Sequence, residues 1–327
     1  MKLKRYERNP VIKPEDFKKW DIGAVFNCGT TIMENGNVGM LYRAVPSGYR
    51  KNKSGNGYLD YVSSIGFAES CNGYDFEIRE EPVITPQYEW DRYGSEDPRI
   101  TRFEDGGTIS YLITYTAMSS PAFSGEGDRV AVAQTEDFVS FNKHGVIIPG
   151  VNDKDAVFFP EKINGKIALL HRIPPDIQIA YFDDMEGMLK RDEGYWKRYL
   201  ENYAEYNILE RKYDWEAEKI GAGPPPLKTD EGWLLVYHAV GSDHVYRAGA
   251  ALLDLDDPSR VIARSPVPVL EPETEYERYG DVDNVVFPEG AVVKDGELFV
   301  YYGAADKVCA LATVGLRDML NYLKGFR

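Results

Sequence analysis

Tyr93-Gly94-Ser95-Glu96-Asp97-Pro98-Arg99-Ile100 sets two carboxylates, a proline and an arginine at the head of an apolar run. Proline holds its own φ at about −65° and keeps the residue before it out of helical geometry. Asp97 is therefore expected to be extended and to lead into a strand at residues 100–103. A carboxylate on rigid backbone where a strand begins suits general acid catalysis. Glu-Asp-Pro is also ordinary turn chemistry.

Other polar residues precede other apolar runs: Asp21 and Asn27, Asp153 and Asp155, then Asp281, Asp283 and Asn284. Brought together, such groups could bind metal, bind sugar hydroxyls or do acid–base work. No His-x-x-x-His and no Asp-x-Asp-x-Asp-Gly loop occurs, so no metal is expected. Tyr93, Phe159, Tyr237, Phe287 and Tyr302 lie near these points and favour sugar binding. A basic set, Arg43, Arg129, Lys162, His171, Arg172 and His238, lies at or beside central strands of an acidic chain. Each alone reads as a structural ion-pair partner. Facing a carboxylate together, they suggest an anionic second substrate, with phosphate the obvious choice. No glycine-rich P-loop is present, so a nucleotide is not expected.

The elements that must position these groups form a repeat. One apolar strand recurs around Leu41, Leu112, Leu169, Leu235 and Val300, at spacings of about 57 to 71 residues. Each copy has a follower rich in small residues, such as Ile65-Gly66-Phe67-Ala68 and Ala248-Gly249-Ala250-Ala251. Each also has a forerunner: residues 23–33, 99–103, 156–163, 221–227 and 285–293. A Pro-Val-Ile theme at residues 10–14 and 82–86, looser at 145–149 and 266–272, marks outer edges, where no partner needs the missing N–H. Five repeats of about four strands predict an all-β, five-bladed β-propeller as one catalytic domain over residues 1–327. A large β-sandwich is the alternative. The N-terminal Pro-Val-Ile copy has no blade before it and could close the last one. Residues 185–219 break the rhythm, and Leu189, Tyr195, Trp196, Leu200 and Tyr203 fall near helical spacing. They predict an inserted helix or two, packed on the rim or serving as a lid or subunit contact. Residues 45–61, with Gly48, Gly55 and Gly57, and residues 119–128 read as rim loops.

Composition agrees. Twenty-three tyrosines, 14 phenylalanines and 30 glycines favour strands and turns. The net charge of −15 argues against nucleic-acid binding. Three scattered cysteines form no framework, and the basic N-terminus precedes no apolar segment. A cytoplasmic protein without membrane contact is expected, and the helical insert could support a homo-oligomer.

These residues resemble glycoside hydrolase family 130, the β-mannoside phosphorylases and their hydrolytic relatives. The carriers are Asn27, Leu41-Tyr42-Arg43-Ala44, Glu96-Asp97-Pro98-Arg99-Ile100, Phe159-Pro160-Glu161-Lys162-Ile163, Gly223-Pro224-Pro225-Pro226, Val236-Tyr237-His238, Asp283-Asn284-Val285-Val286-Phe287-Pro288 and Tyr302-Gly303-Ala304-Ala305-Asp306. The resemblance implies a five-bladed propeller and Asp97 as proton donor. It implies inverting attack by inorganic phosphate on a β-mannoside, giving α-mannose 1-phosphate. It leaves open whether the proton travels directly or through a hydroxyl of the bound mannose. By the family match Asn27, Arg43 and Asp306 face the mannose, joined on the substrate side by Glu96, Asp283 and Asn284.

An inverting hydrolase needs two carboxyls with a water between them. A phosphorylase needs one, because phosphate is already a nucleophile and a basic pocket replaces the general base. Arg129, Lys162 and His238, with Arg172, are the expected phosphate holders. No cofactor is expected beyond phosphate as co-substrate. Burial beside Glu96 or Asp283 is expected to raise the Asp97 pKa. The chain begins almost at the propeller, which points to β-1,4-mannooligosaccharides rather than mannosyl-glucose. A hydrolase of the same fold and a non-catalytic carbohydrate-binding propeller are the alternatives. The phosphorylase reading requires Arg129, Lys162 and His238 to converge, with no two acids bracketing a water.

Overall fold

The alternating strands pair into five antiparallel sheets arranged as a β-propeller. The computed structural model describes residues 1–53, 57–190 and 193–327. Blade 1 runs outward through Ile22–Ile32, Val38–Pro46, Ser64–Ser70 and Glu77–Ile78. Blade 2 follows with Ser95–Asp105, Thr108–Met118, Asp128–Thr135 and Asn142–Val146. Blade 3 has Lys154–Phe158, Ile167–Arg172, Ile177–Phe182 and Asn207–Leu209. Blade 4 has Lys219–Ala222 and Leu227–Thr229 sharing one neighbour, Gly232–Val240, then Tyr246–Leu253 and Val261–Arg264. In blade 5, Val286–Lys294, Glu297–Ala304 and Val308–Gly315 are completed by Lys4–Arg5 from the other end of the chain. Ile12 of the Pro-Val-Ile segment bridges Cys309 of the same blade. The ring thus closes with N-terminal residues, as the unpaired first copy suggested.

The small residues of the third strands have a direct cause. Tyr42 lies across from Gly66, and Tyr237 across from Gly249. A Cβ at Gly66 would stand 2.3 Å from the Tyr42 ring, and one at Gly249 2.2 Å from that of Tyr237. Both tyrosines are fully buried. Each fills space that its glycine partner leaves, and truncating either ring to alanine would cost about 3–5 kcal/mol.

The inner strands carry the feature that matters most for the site. In blades 1, 2 and 3 the pairing slips by one residue, just after Phe26, Glu96 and Lys154. At these bulges Asn27, Asp97 and Asp155 adopt φ of 50°, 53° and 57°. Asn and Asp tolerate this left-handed region better than most residues. A bulge re-aims a side chain out of the pleat. Asp97 is therefore not extended, as the following proline had suggested. It sits inside a strand that already begins at Ser95.

The helical insert is shorter than residues 185–219. Its described parts are Met185–Leu189, capped by Asp184, then Glu193–Glu201 and a turn of 3-10 helix at Tyr203–Tyr206. Asn207–Leu209 already belongs to blade 3 and Lys219–Ala222 to blade 4. Met188, Trp196 and Tyr199 are buried against blade 3, in a cluster with Phe158, Leu169 and Phe182. The first rim loop folds into the small hairpin Arg50–Lys51 with Tyr58–Leu59; its Gly55 lies outside the described residues. A C-terminal helix, Leu316–Lys324, has no counterpart in the sequence reading and buries Met319 and Leu323.

Candidate active site

The starts of the inner strands face a cavity of about 300 Å³. Blades 1 and 2 supply Asn27, Arg43, Glu96 and Asp97. Blades 3 and 4 supply Lys154, Asp155, Arg172, Lys219, His238 and Tyr246. Blade 5 adds Phe287 and Asp306, and the rim loop of blade 2 adds Phe123 and its neighbours.

Around Asp97 the donors fall on one oxygen. Asn27 Nδ2 donates to Asp97 Oδ1 at 2.8 Å, and Arg43 Nη1 donates to the same atom at 3.2 Å. Among the described residues no hydrogen bond lands on Oδ2. Arg43 Nη2 reaches Glu96 Oε1 at 2.7 Å, where Ser63 Oγ also donates at 2.8 Å. The Arg43 guanidinium lies 4.8 Å over the Phe26 ring and 5.3 Å over that of Tyr61. Burial raises the Glu96 pKa against the pull of Arg43. Burial likewise pushes Asp306 up to about 7, with Arg43 opposing and the charge of Asp97 adding.

The opposite wall is cationic. Burial works against the charge of Asp155, yet Arg172, His238 and Arg99 together hold its carboxyl well below the usual range. Arg172 Nη2 stands 2.9 Å from Asp155 Oδ2, and His238 Nε2 stands 3.4 Å from the same oxygen. Burial lowers His238 to about 4, despite Asp155, so its imidazole is neutral at pH 7. Its ring packs 4.2 Å from that of Phe287. Lys154 Nζ pairs with Asp128 Oδ2 at 2.9 Å. Arg172 Nε and Nη1 are buried and have no hydrogen-bond partner among the described residues. Buried charged donors without acceptors are costly, so such a pair marks a place where an anion would be held.

Beneath both walls lies Arg99, only 1 % exposed. It donates to the carbonyls of Asp97 at 3.2 Å, Gly223 at 3.0 Å and Ala222 at 3.2 Å, and to Asp155 Oδ1 at 3.0 Å. Glu289, the bulged residue of blade 5, lies 3.0 Å from it. One guanidinium thus ties four blades together directly below the left-handed residues.

Nine of the residues singled out in the sequence meet here: Asn27, Arg43, Glu96, Asp97, Asp155, Arg172, His238, Phe287 and Asp306. The others do not. Arg129 spends Nη1 on Asp128 O, Val151 O and Asn152 Oδ1, at 2.8, 3.1 and 2.9 Å, and so pins the rim loop. Lys162 pairs with Asp105 at 2.7 Å. Asp105 lies eight residues along the inner strand from Asp97, roughly 25 Å away at ~3.3 Å per residue. Lys162 therefore belongs to the other mouth of the channel, and Arg129, Lys162 and His238 do not converge. Asp283 and Asn284 are exposed. Asp283 accepts from the Gly280 N–H at 3.3 Å, and the Asn284 carbonyl accepts from the Tyr246 N–H at 3.1 Å. Both shape the loop behind Val282 and Val285, which do reach the cavity. His171 is buried behind the wall, bonded to Asp153 and Tyr199. Sequence reasoning passed over Lys154 and Lys219, although Lys154 stands between two residues singled out as strand-start acids.

Comparison with known proteins bears on the whole chain. The family model described as beta-1,4-mannooligosaccharide phosphorylase matches residues 2–325. The chain belongs to glycoside hydrolase family 130. A 1,2-beta-oligomannan phosphorylase of Thermoanaerobacter sp. (strain X514) is 38% identical, covering 98% of this chain and 99% of that protein. The beta-1,4-mannooligosaccharide phosphorylase of Ruminococcus albus is 30% identical, covering 98% of this chain and 90% of that one. Among solved structures, beta-1,2-mannobiose phosphorylase from Listeria innocua, in complex with beta-1,2-mannobiose, superposes with a TM-score of 0.81. It shares 30% identity and covers 99% of this chain and 100% of its own. This member of family 130 is a glycoside phosphorylase.

Proposed function

We propose that the enzyme phosphorolyses β-1,2-linked mannosides with inversion, using Asp97 as the proton donor and the Arg172 wall as the phosphate site. The observation that carries this reading is Arg172, which lines the cavity that also holds Asp97 and, among the described residues, keeps two buried donors without a hydrogen-bond partner. Asn27 and Arg43 both load Oδ1, so the transferable proton rides on Oδ2. A phosphate oxygen attacks the anomeric carbon from the face opposite the leaving group. The glycosidic C–O bond breaks, the proton passes to the leaving oxygen, and α-mannose 1-phosphate and the shortened mannoside depart. Asp97 is then reprotonated from solvent. Lys154 and Lys219 add charge to the anion wall, and neutral His238 adds a hydrogen-bonding nitrogen. Phosphate is the co-substrate and no further cofactor enters.

A hydrolase would need a second carboxylate as base. Asp155 lies on the right wall, but Arg172 and Arg99 hold it ionised and depress its basicity, which makes it a poor base. Similarity supports the choice of linkage: identity is 38% to a 1,2-beta-oligomannan phosphorylase against 30% to a beta-1,4-mannooligosaccharide phosphorylase. The test offers β-1,2-mannobiose, β-1,4-mannobiose and mannosyl-glucose in phosphate buffer. The β-1,2 substrate is expected to lead in kcat/KM by at least about tenfold, ~1.4 kcal/mol in transition-state binding. A lead by either other substrate would reassign the linkage.

A further inference from the structure

We propose that the helical insert is a positioning element for the phosphate wall: Tyr199, through His171 and Asp153, fixes the strand that presents Arg172. The proposal rests on the reading of Arg172 as a phosphate ligand.

His171 and Arg172 are neighbours at the end of Ile167–Arg172. Successive side chains of a strand leave on opposite faces. Arg172 reaches the cavity, while His171 is fully buried on the side of the insert. There it meets Trp196 edge-on, with ring centroids 6.1 Å apart, and Tyr199 at 5.4 Å. Trp196 and Tyr199 are three residues apart in the helix Glu193–Glu201 and so share a face. His171 Nε2 lies 2.7 Å from the Tyr199 hydroxyl, which donates to Ile179 O at 2.9 Å. His171 Nδ1 lies 2.6 Å from Asp153 Oδ2, and Asp153 Oδ1 accepts the Arg172 backbone N–H at 3.0 Å.

One carboxylate therefore grips the backbone of Arg172 while directly preceding Lys154 and Asp155. Lys154 and Arg172 are also cross-strand partners. The Tyr199–His171–Asp153 chain thus stands behind the whole blade 3 contribution to the wall. Among the described residues the insert supplies no side chain to the cavity. Its influence must be indirect, through placement. Small displacements of a binding group cost catalysis steeply, on the order of 100-fold for about 1 Å.

The test is Tyr199→Phe, which deletes one hydroxyl and keeps the ring, with Asp153→Asn as a second variant. KM for phosphate and KM for the mannoside are measured separately, and Arg172→Ala is run in the same series. Tyr199→Phe is expected to raise the phosphate KM about fivefold and Asp153→Asn more than tenfold, with the mannoside KM within about twofold of wild type. Circular dichroism checks folding; if Tyr199→Phe does not fold, Asp153→Asn decides. A phosphate KM unchanged in the folded variants, or an equal rise for both substrates, overturns the positioning role. If Arg172→Ala itself leaves the phosphate KM unchanged, the assignment of the anion wall has failed. If Arg172→Ala raises it and the other two do not, only the role of the insert has failed.

Discussion

On the side of the cavity made by blades 1, 2 and 5, carboxyls are crowded and burial pushes two of them, Glu96 and Asp306, upward. On the side made by blades 3 and 4, a carboxylate just as buried is held far down, and the exposed chemistry is cationic. Both sides use one device, a bulged inner strand with a left-handed Asn or Asp. What differs is the neighbour on the second strand. Arg43 is shared by Glu96 and Asp97, so its charge is divided and those acids keep company with one another. Arg172 stands beside a single acid that Arg99 also serves, so among the described residues two of its donors, Nε and Nη1, are left over, against Nε alone on Arg43. A repeated backbone motif thus makes an acid site in one blade and an anion site in the next.

The comparison can be broken most severely at Asp97. Asp97→Asn keeps the shape and removes the proton; kcat should fall about 10²–10⁴-fold with the melting temperature nearly unchanged. Survival of full turnover would remove Asp97 from the chemistry. Next in size, Arg172→Ala should raise the phosphate KM about 10–100-fold, with a much smaller effect on the mannoside, as expected for a lost charged hydrogen-bonding group. Equal losses for both substrates would mean that the two walls do not divide the labour.

Asp306→Asn sharpens the contrast through pH. Its folded pKa is raised to about 7, so above its ordinary range the native state keeps a proton that the unfolded chain has lost. Wild-type stability should therefore decline as pH rises from about 4 to 7 through this group, and Asp306→Asn should flatten that slope. Urea midpoints at pH 5 and 8 measure it; parallel slopes in the two proteins would contradict the assigned shift. The smallest effect belongs to Lys162→Ala. Its pair with Asp105 is a partly exposed one, worth about 1 kcal/mol or less. Both KM values should stay within about twofold of wild type, and a tenfold rise for phosphate would put Lys162 back in the site.

The propeller was legible because its strands repeat, and the strand-start acids were legible because inner strands all begin at the same mouth. That same rule excludes Lys162, which follows an inner strand and so belongs to the far end. Arg129 begins a third strand, at the correct end, but carbonyls of the rim take up its Nη1, which no local pattern reveals. Lys219 was hidden because a three-residue strand, Asn207–Leu209, looks like more of the insert. The neutrality of His238 depends on burial by Phe287 and other distant residues, and is not written in its neighbours along the chain. Asp97 and Asn27 share their left-handed φ because of the bulge, a three-dimensional slip in pairing with only a faint sequence mark.

The most direct measurement follows β-1,2-mannobiose by proton and phosphorus NMR, with and without phosphate. One acid facing an anion pocket predicts turnover only with phosphate, with α-mannose 1-phosphate and one mannose formed per mannobiose consumed. Two mannoses per mannobiose, released at the same rate without phosphate, would contradict it.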